Sequence, residues 1–260
     1  MKKKIKYKPK QKIEPGIEPV VEPKIKSETK HNTAKKEKRV SIGIKNFDSL
    51  VNGGFLPGSI NLIVGGVGSG KTVFASQFLI DGLIKSEPVL YICLGEKKED
   101  IFEYLSKFGW NLKKFEDSGK LSFLEYSPEG IKQMIDEGGG EMESIIIKKK
   151  IKRIVIDSLN FFEMMFKNKL ERNEALTNLC GLLHNWNCTT IITLQREIGA
   201  REMASDLSIE FETDSIVILY FLRKDSTRKR QLEILKMKET EHSKKLHDFG
   251  ITSKGIIVKK

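Results

Sequence analysis

The chain has 260 residues, a length that fits one large domain or two small ones. Its 39% hydrophobic residues can bury a substantial core, which excludes a wholly disordered chain, and three cysteines without a CxxC pair exclude a disulfide-stapled miniprotein. Residues 1–40 hold 14 Lys/Arg and 5 Asp/Glu, so most of the net charge of +11 belongs to the amino-terminal segment.

The amino-terminal segment is rich in lysine, glutamate and proline, a composition that cannot bury enough apolar surface to offset chain entropy. We therefore predict a disordered basic tail at residues 1–39 and one folded domain at residues 40–260. The tail either attracts nucleic acid or acidic partners weakly, or is a solubilising extension without a partner. No apolar run reaches the length of a membrane span and no signal region follows the basic start, so we expect a cytoplasmic protein without a membrane role.

From residue 40 onward, short apolar runs alternate with stretches in which apolar residues have helical spacing. The predicted strands are residues 58–64, 88–94, 121–126, 153–156 and 189–194, and the predicted helices are residues 72–83, 100–108, 128–149 and 170–186. This alternation predicts an α/β fold with a mostly parallel central sheet flanked by helices. After residue 211 three strands follow without helices, and they predict an antiparallel extension of the sheet, at residues 215–223, 230–238 and 255–259.

Between the first predicted strand and the first predicted helix, eight residues fit the phosphate-loop pattern GxxxxGK[ST]. They are Gly65, Gly66, Val67, Gly68, Ser69, Gly70, Lys71 and Thr72. Glycines allow backbone N–H groups to approach phosphate oxygens, and the start of the helix adds partial positive charge. We expect Lys71 to reach the β- and γ-phosphates of ATP and the Thr72 hydroxyl to ligate Mg²⁺. The sequence therefore predicts a site for ATP or ADP with Mg²⁺.

The second magnesium element of such a site is an acidic residue at the end of a buried strand, and Asp157 follows the apolar run at residues 154–156. An apolar run that ends in aspartate is common, so this prediction depends on its combination with the phosphate loop. We expect Asp157 to act on Mg²⁺ mainly through an ordered water.

Several stretches resemble KaiC-like proteins of the RecA superfamily. Residues 41–59 (SIGIKNFDSLVNGGFLPGS) are similar to the family's entry into the phosphate loop, and residues 232–242 (LEILKMKETEH) resemble the family's LEILKLRGTSH strand. The resemblance covers about residues 40–258. It implies a RecA-like P-loop core and a single-domain ATPase of the archaeal kind that forms a ring, with a hexamer favoured and nucleotide bound at the subunit interfaces. Cyanobacterial KaiC has two such domains, so its clock role does not carry over.

We expect Glu96 and Lys71 to be the catalytic residues, with Glu96 as the base. The resemblance places the carboxylate that activates the attacking water at the first position of a pair of glutamates, and Glu96 occupies the second position. The family commonly has a Glu-Glu pair after the second strand, where this chain has Gly95-Glu96. If Glu96 is a displaced base, Gly95→Glu is expected to raise the rate; the alternative reading of Glu96 is an acidic residue near a helix start. Gly95 also favours a second hypothesis, a non-hydrolysing nucleotide-dependent switch or scaffold. Val67 stands where the family usually has proline, which leaves phosphate binding intact.

The resemblance further implies that Lys236 and Lys238 reach the γ-phosphate bound by the neighbouring subunit. The alternative is an ordinary solvated strand face. Lys238 stands in place of the arginine that is usual in the family. The compact ammonium group of a lysine therefore replaces a planar guanidinium group with several hydrogen-bond donors. Gln195, at the end of the fifth predicted strand, is either a γ-phosphate sensor or a simple polar strand end.

A third hypothesis is a DNA recombination accessory protein of the RecA-paralogue type. Such a protein needs a basic or glycine-rich loop after the fifth strand to follow a phosphate backbone. Residues 196–214 instead hold two arginines and six acidic residues, which disfavours this hypothesis and leaves nucleic-acid binding to the basic tail.

Overall fold

The computed structural model describes residues 38–196 and 209–259. Nearly all of the predicted tail and most of the acidic segment 196–214 lie outside the described residues. The strands are β1 (Ile60–Gly65), β2 (Val89–Leu94), β3 (Leu121–Tyr126), β4 (Arg153–Asp157), β5 (Thr189–Gln195), β6 (Ser215–Lys224), β7 (Thr227–Met237), β8 (His247–Thr252) and β9 (Gly255–Val258). A 3₁₀ helix spans Asp48–Val51, and the α-helices are α1 (Lys71–Ile84), α2 (Lys98–Ser106), α3 (Leu112–Asp117), α4 (Pro128–Asp136), α5 (Gly140–Lys149), α6 (Asn160–Glu163), α7 (Lys169–Trp186) and α8 (Ile209–Glu212).

The strands of the described residues form one nine-stranded sheet in the order β3-β2-β4-β5-β1-β6-β7-β8-β9. The first six strands run parallel to one another, and β7, β8 and β9 are antiparallel. The predicted mostly parallel sheet with an antiparallel carboxyl-terminal extension is therefore confirmed, with one correction: β6 runs parallel to β1. The Asp214 backbone N–H donates to the Ile60 carbonyl and its carboxylate accepts from the Ile60 N–H, which fixes the start of β6 beside the start of β1.

Other predicted elements differ in their details. The helix predicted at residues 128–149 is two helices, α4 and α5, because three consecutive glycines at 138–140 disfavour a continuous helix. Strand β8 and the short helices α3, α6 and α8 were not predicted. Of the described helices, none combines the length and hydropathy that a bilayer span requires.

Apolar side chains on both faces of the sheet are buried under helices. One face packs against α1, α2 and the entry segment around Ile42 and Phe47, and the other packs against α4, α5 and α7. Strands β1, β2 and β4 are buried along their whole length, which explains why they appear in the sequence as continuous apolar runs. The carboxyl ends of these parallel strands meet at one edge of the sheet, where ligands bind in open α/β folds.

A buried arginine joins the sheet to α1 and to the entry segment. Arg153, the first residue of β4, is 1% exposed. Its guanidinium forms ion pairs with Glu87 (2.6 Å) and Asp81 (3.1 Å) and donates to the carbonyls of Ser41 and Phe78. The burial of this charge is tolerated because the guanidinium is paired and hydrogen-bonded. Its contacts connect β4 to α1, to the entry segment and to Glu87.

Candidate functional site

A cleft of about 450 Å³ lies at the carboxyl edge of the parallel strands. It brings together predicted site residues that are far apart in the sequence. From the phosphate loop and its surroundings the lining includes Val67, Gly68, Gly70, Lys71, Thr72, Glu96, Asp157 and Gln195. These predicted residues bring an ammonium group, a hydroxyl group and two carboxylates onto one concave surface.

The phosphate loop connects β1 to α1 in the way that the motif requires. Gly70 has φ +106°, a conformation that favours glycine, and an added Cβ would lie 2.9 Å from Ile251 Cδ1. Lys71 begins α1, and its Nζ donates to the carbonyls of Gly65 (2.9 Å) and Gly66 (3.0 Å). Burial lowers the pKa of Lys71, and the nearby Asp157 charge opposes that shift.

The donor set of this loop fits a triphosphate with Mg²⁺. The Ser69 hydroxyl is buried and has no hydrogen-bond partner within the part of the chain that the structure describes. The Lys71 ammonium and the Thr72 hydroxyl line the same cleft, at the start of a 14-residue helix whose dipole favours anions. Val67 is 70% exposed, so valine in place of the family's proline removes no buried contact.

Asp157 is held in a fixed orientation at the end of β4. The Tyr91 hydroxyl donates to its Oδ2 (2.8 Å), and the Thr193 hydroxyl donates to its Oδ1. Burial raises the pKa of Tyr91, and Asp157 raises it further, so the phenol stays a donor. Neither Tyr91 nor Thr193 was among the predicted site residues. Both contact Asp157 because β2 and β5 flank β4 in the sheet, and the sequence does not give this strand order.

Glu96 lies at the rim of the cleft in the turn after β2. Partial burial raises the pKa of its carboxyl group, and the charges of Asp157 and Asp100 raise it further. The preceding Gly95 has φ +91°, and a Cβ added there would lie 2.8 Å from three ring atoms of Phe161. A side chain at residue 95 would therefore require the Phe161 ring to shift and would strain the backbone, which weakens the expectation that Gly95→Glu raises the rate.

The end of β5 is held by helix α6. The Asn160 side chain accepts from the Gln195 N–H (2.7 Å) and donates to the Gln195 carbonyl (2.9 Å). Next to it, Arg196 forms an ion pair with the buried Glu163, and the Arg196 N–H donates to the Gly65 carbonyl. The backbone of Gln195 is thereby fixed while its side chain lines the cleft.

Several residues of the cleft lining were not predicted, among them Arg230 and Tyr104. Arg230, near the start of β7, donates to the Gly68 carbonyl (3.1 Å) and its guanidinium lies 4.2 Å from the centre of the Phe221 ring. Tyr104 of α2 also lines the cleft. The sequence gives a signal for neither, since the register that brings Arg230 to the loop depends on the pairing of β6 with both β1 and β7.

Lys236 and Lys238 lie at the other edge of the sheet. Lys236 Nζ donates to the carbonyls of Glu210 (2.8 Å) and Thr213 (2.7 Å), and Lys238 Nζ pairs with Asp214 (3.0 Å). Since β7 runs away from the cleft after Arg230, at roughly 3.3 Å per residue, both lysines are about 20 Å or more from it. Neither reaches the phosphate loop of its own chain.

Comparison with known proteins agrees with this geometry. The family model described as "ATPase: KaiC" matches residues 40–260. The chain belongs to the KaiC family of ATPases. A UPF0273 protein of Methanocaldococcus jannaschii is 33% identical over 236 residues, which cover 85% of this chain and 96% of that protein. The circadian clock oscillator protein KaiC of Synechococcus elongatus is 34% identical over 222 residues, or 82% of this chain but 42% of that protein.

The KaiC fold is also recognised in three dimensions. The crystal structure of a KaiC-like protein from Pyrococcus horikoshii superposes with a TM-score of 0.76 at 30% sequence identity, covering 86% of this chain and 99% of that one. The resemblance inferred from residues 41–59 and 232–242 is therefore confirmed, and the cleft belongs to a nucleotide-binding P-loop ATPase domain of the KaiC family.

Proposed function

We propose that this KaiC-family domain is a ring-forming ATPase that binds ATP with Mg²⁺ between subunits and hydrolyses it slowly. The observation that carries the proposal is the single cleft that collects Lys71, Thr72, Asp157 and Glu96 from three strand ends. In it Lys71 and the loop N–H groups bind the phosphates, Thr72 and Asp157 hold Mg²⁺, and Glu96 accepts a proton from the attacking water. Mg²⁺ at that position supplies neutralisation of the charge on the β- and γ-phosphates.

The assembly is supported by the face that carries Lys236 and Lys238. Two large apolar side chains next to these lysines are exposed, Phe211 at 76% and Leu235 at 51%. Exposed large apolar side chains grouped on one face are typical of a protein interface. A contact between this face and the cleft of a neighbouring copy is heterologous and closes into a ring, for which we propose six subunits.

Glu96→Gln is expected to abolish ATP turnover while nucleotide affinity stays within about threefold of the original, because a general base contributes on the order of 100-fold or more to rate and little to binding. The pH dependence gives a second signature. The base works only when deprotonated, so kcat falls as pH falls through the pKa of Glu96, which partial burial raises. Steady-state phosphate release from pH 4.5 to 8 measures both.

Glu99→Gln is the matched control, since Glu99 is exposed on α2 outside the cleft lining, and it should leave kcat and its pH profile unchanged. Normal turnover by the Glu96→Gln protein would transfer the base to another group.

Mixing two inactive variants tests the contact across subunits. Lys238→Ala keeps the phosphate loop, and Lys71→Ala keeps the lysine that acts on the neighbour. In a random equimolar ring, about one interface in four combines an intact loop with an intact lysine, so the mixture should regain about a quarter of the wild-type rate. The measurement is ATP turnover after the two proteins have exchanged subunits.

The control for that experiment mixes Lys71→Ala with the double variant Lys71→Ala/Lys238→Ala, in which no interface has an intact loop. This mixture should remain inactive. The trans role of the lysines is refuted if both mixtures behave alike, or if light scattering finds only monomers in saturating ATP and Mg²⁺.

A non-hydrolysing switch is the second candidate, favoured by the Phe161 ring over Gly95. Tight ATP binding with no measurable phosphate release would identify it. We further propose that residues 1–39 form a basic extension of the domain at residues 40–260 and give it, at most, weak salt-sensitive binding to nucleic acid.

A further inference from the structure

Strands β6 and β7 continue past the rest of the sheet as a two-stranded ribbon, residues 221–230. Strand β1 pairs with β6 only as far as Leu219, and β8 pairs with β7 only at residues 230–232. Apart from Arg230, the residues of the ribbon therefore pair only with each other, and a turn at residues 225–226 joins the two strands. Because β6 runs parallel to β1, the ribbon projects from the carboxyl edge of the sheet, beside the phosphate loop.

The ribbon concentrates the positive charge of the folded domain. It holds five Lys/Arg and one Asp, whereas the other residues after residue 40 hold 27 Lys/Arg and 29 Asp/Glu. The ribbon thus has a net charge of +4 on a domain that is otherwise slightly acidic. Within the described residues, no carboxylate forms an ion pair with its cations Arg223, Arg228, Lys229 and Arg230. Positive charge that the chain itself does not neutralise attracts an anionic partner.

One face of the ribbon combines three of these cations with an aromatic ring. In the register of the two strands, Phe221 lies opposite Arg230, and Arg223 lies opposite Arg228. Residues opposite each other and residues two apart on a strand share a face, so all four side chains belong to the same face. The guanidinium carbons of Arg228 and Arg230 lie 5.2 and 4.2 Å from the centre of the Phe221 ring. The face therefore offers planar cations stacked on an aromatic side chain.

A cavity of about 500 Å³ adjoins the ribbon and is distinct from the cleft described above. Its lining includes Phe221 and Arg228, together with the exposed side chains of Val67 (70%) and Leu222 (43%). It thus presents apolar surface and a guanidinium to the same ligand. An unpaired nucleic-acid base stacks on aromatic rings and on guanidinium planes, whereas a base held within a duplex is not free to enter a cavity.

We propose that the ribbon binds single-stranded nucleic acid, with its arginines holding phosphates and the adjoining cavity taking an unpaired base. Arginine suits both tasks, because its planar group binds phosphate through two hydrogen bonds and also stacks. An acidic protein segment would satisfy the charge but has no planar group to match the stacked guanidinium groups and the cavity. This binding surface belongs to the folded domain, is separate from the basic tail, and does not depend on the proposed ATP hydrolysis.

Charge reversal on the ribbon tests the proposal. The double variant Arg223→Glu/Arg228→Glu changes two exposed residues that lie outside the lining of the ATP cleft. We expect the full-length variant to bind a fluorescent oligothymidylate of about 20 nucleotides at least about 10-fold more weakly than the wild type. The slope of log affinity against log salt concentration should fall by about 1.4, or about 0.7 for each lost phosphate contact. Fluorescence anisotropy over a range of salt concentrations measures both, and the basic tail is the same in the two proteins.

Lys148→Glu/Lys152→Glu is the matched control, because it makes the same change in net charge. Lys148 in α5 and Lys152 just before β4 are exposed at the amino edge of the parallel strands, opposite the ribbon. This variant should bind the oligothymidylate within about twofold of the wild type. Both double variants should keep their melting temperatures within about 2 °C of the wild type, since all four residues are exposed.

Arg223→Lys/Arg228→Lys separates stacking from charge, because it keeps the charge and removes the planar groups. It should weaken binding of the oligothymidylate but not of inorganic polyphosphate, which has phosphates without bases. The proposal is overturned if the wild type does not bind the oligothymidylate, or if the ribbon and control charge reversals weaken binding equally. It is also overturned if the ribbon reversal weakens duplex or polyphosphate binding by the same factor, which would make the ribbon a general polyanion site. A changed oligomeric state in light scattering with unchanged affinity for the oligothymidylate would instead assign the ribbon to a contact between copies and refute the proposal.

Discussion

Replacing Lys71 with alanine will weaken the binding of ATP with Mg²⁺ by about 100-fold or more. Lys71 Nζ now donates to two loop carbonyls, and Lys71 lines the cleft in which we expect the β- and γ-phosphates to lie. A hydrogen bond to a charged group contributes about 1.5–3 kcal/mol, and a 100-fold loss corresponds to about 2.7 kcal/mol. Isothermal titration calorimetry of the full chain with ATP and MgCl₂ measures the change.

Lys148→Ala is the control for the loss of one positive charge, because Lys148 is exposed on α5 outside the cleft lining. Its affinity for ATP should match that of the wild type. Equal affinities for all three proteins would show that the cleft does not bind phosphates through its loop.

Arg153→Ala will destabilise the fold by about 3–5 kcal/mol, since it removes a fully buried side chain together with both of its ion pairs. The carbonyls of Ser41 and Phe78 lose their guanidinium donors, and the stacking of the guanidinium on the Phe78 ring at 4.8 Å is lost. For a chain of this size we expect a fall in melting temperature of about 10 °C. Thermal unfolding followed by circular dichroism measures it.

Arg223→Ala supplies the comparison, because Arg223 is exposed near the end of β6. Its melting temperature should stay within about 2 °C of the wild type. A fall of the same size in both variants, or in neither, would contradict a stabilising role for the Arg153 network.

The local parts of this molecule could be predicted from the sequence because their signals are local. Apolar runs predicted the buried strands, and helix α7 begins one residue before its predicted start at 170. The phosphate loop carries its own pattern, since its chemistry requires glycines and a lysine at fixed spacing. Those elements needed no knowledge of what packs against them.

The remaining features depend on contacts between distant segments. The direction of β6 follows from Asp214 binding Ile60, and nothing near Ser215 in the sequence signals it. Strand β8 contains Gly250 and the polar residues His247 and Asp248, so its extended conformation depends on pairing with β7 and β9. The burial of Arg153 at the start of β4 has no signal in the neighbouring sequence either.

The candidate site likewise combines residues that have a local sequence signal with residues that have none. Lys71, Thr72 and Asp157 were found from motif and strand ends, and the structure brings them into one cleft. The ring of Phe161 over Gly95 and the guanidinium of Arg230 at the loop were not found. Phe161 lies 66 positions after Gly95 in the sequence, and Arg230 lies more than 160 positions after Gly68. Contacts between residues so far apart cannot be inferred from local sequence patterns.

The place of β1 in the sheet has a consequence for synthesis of the chain. This strand lies between β5 and β6, and its contacts with them join residues 129 and 154 positions apart. At about 5–20 residues per second, a ribosome needs on the order of ten seconds after making β1 to supply its first partner. During that time an apolar strand has both edges unpaired, so the nascent chain exposes a hydrophobic segment that suits a holding chaperone. The centre of the sheet closes late, and we expect these long-range contacts to slow the folding of the domain.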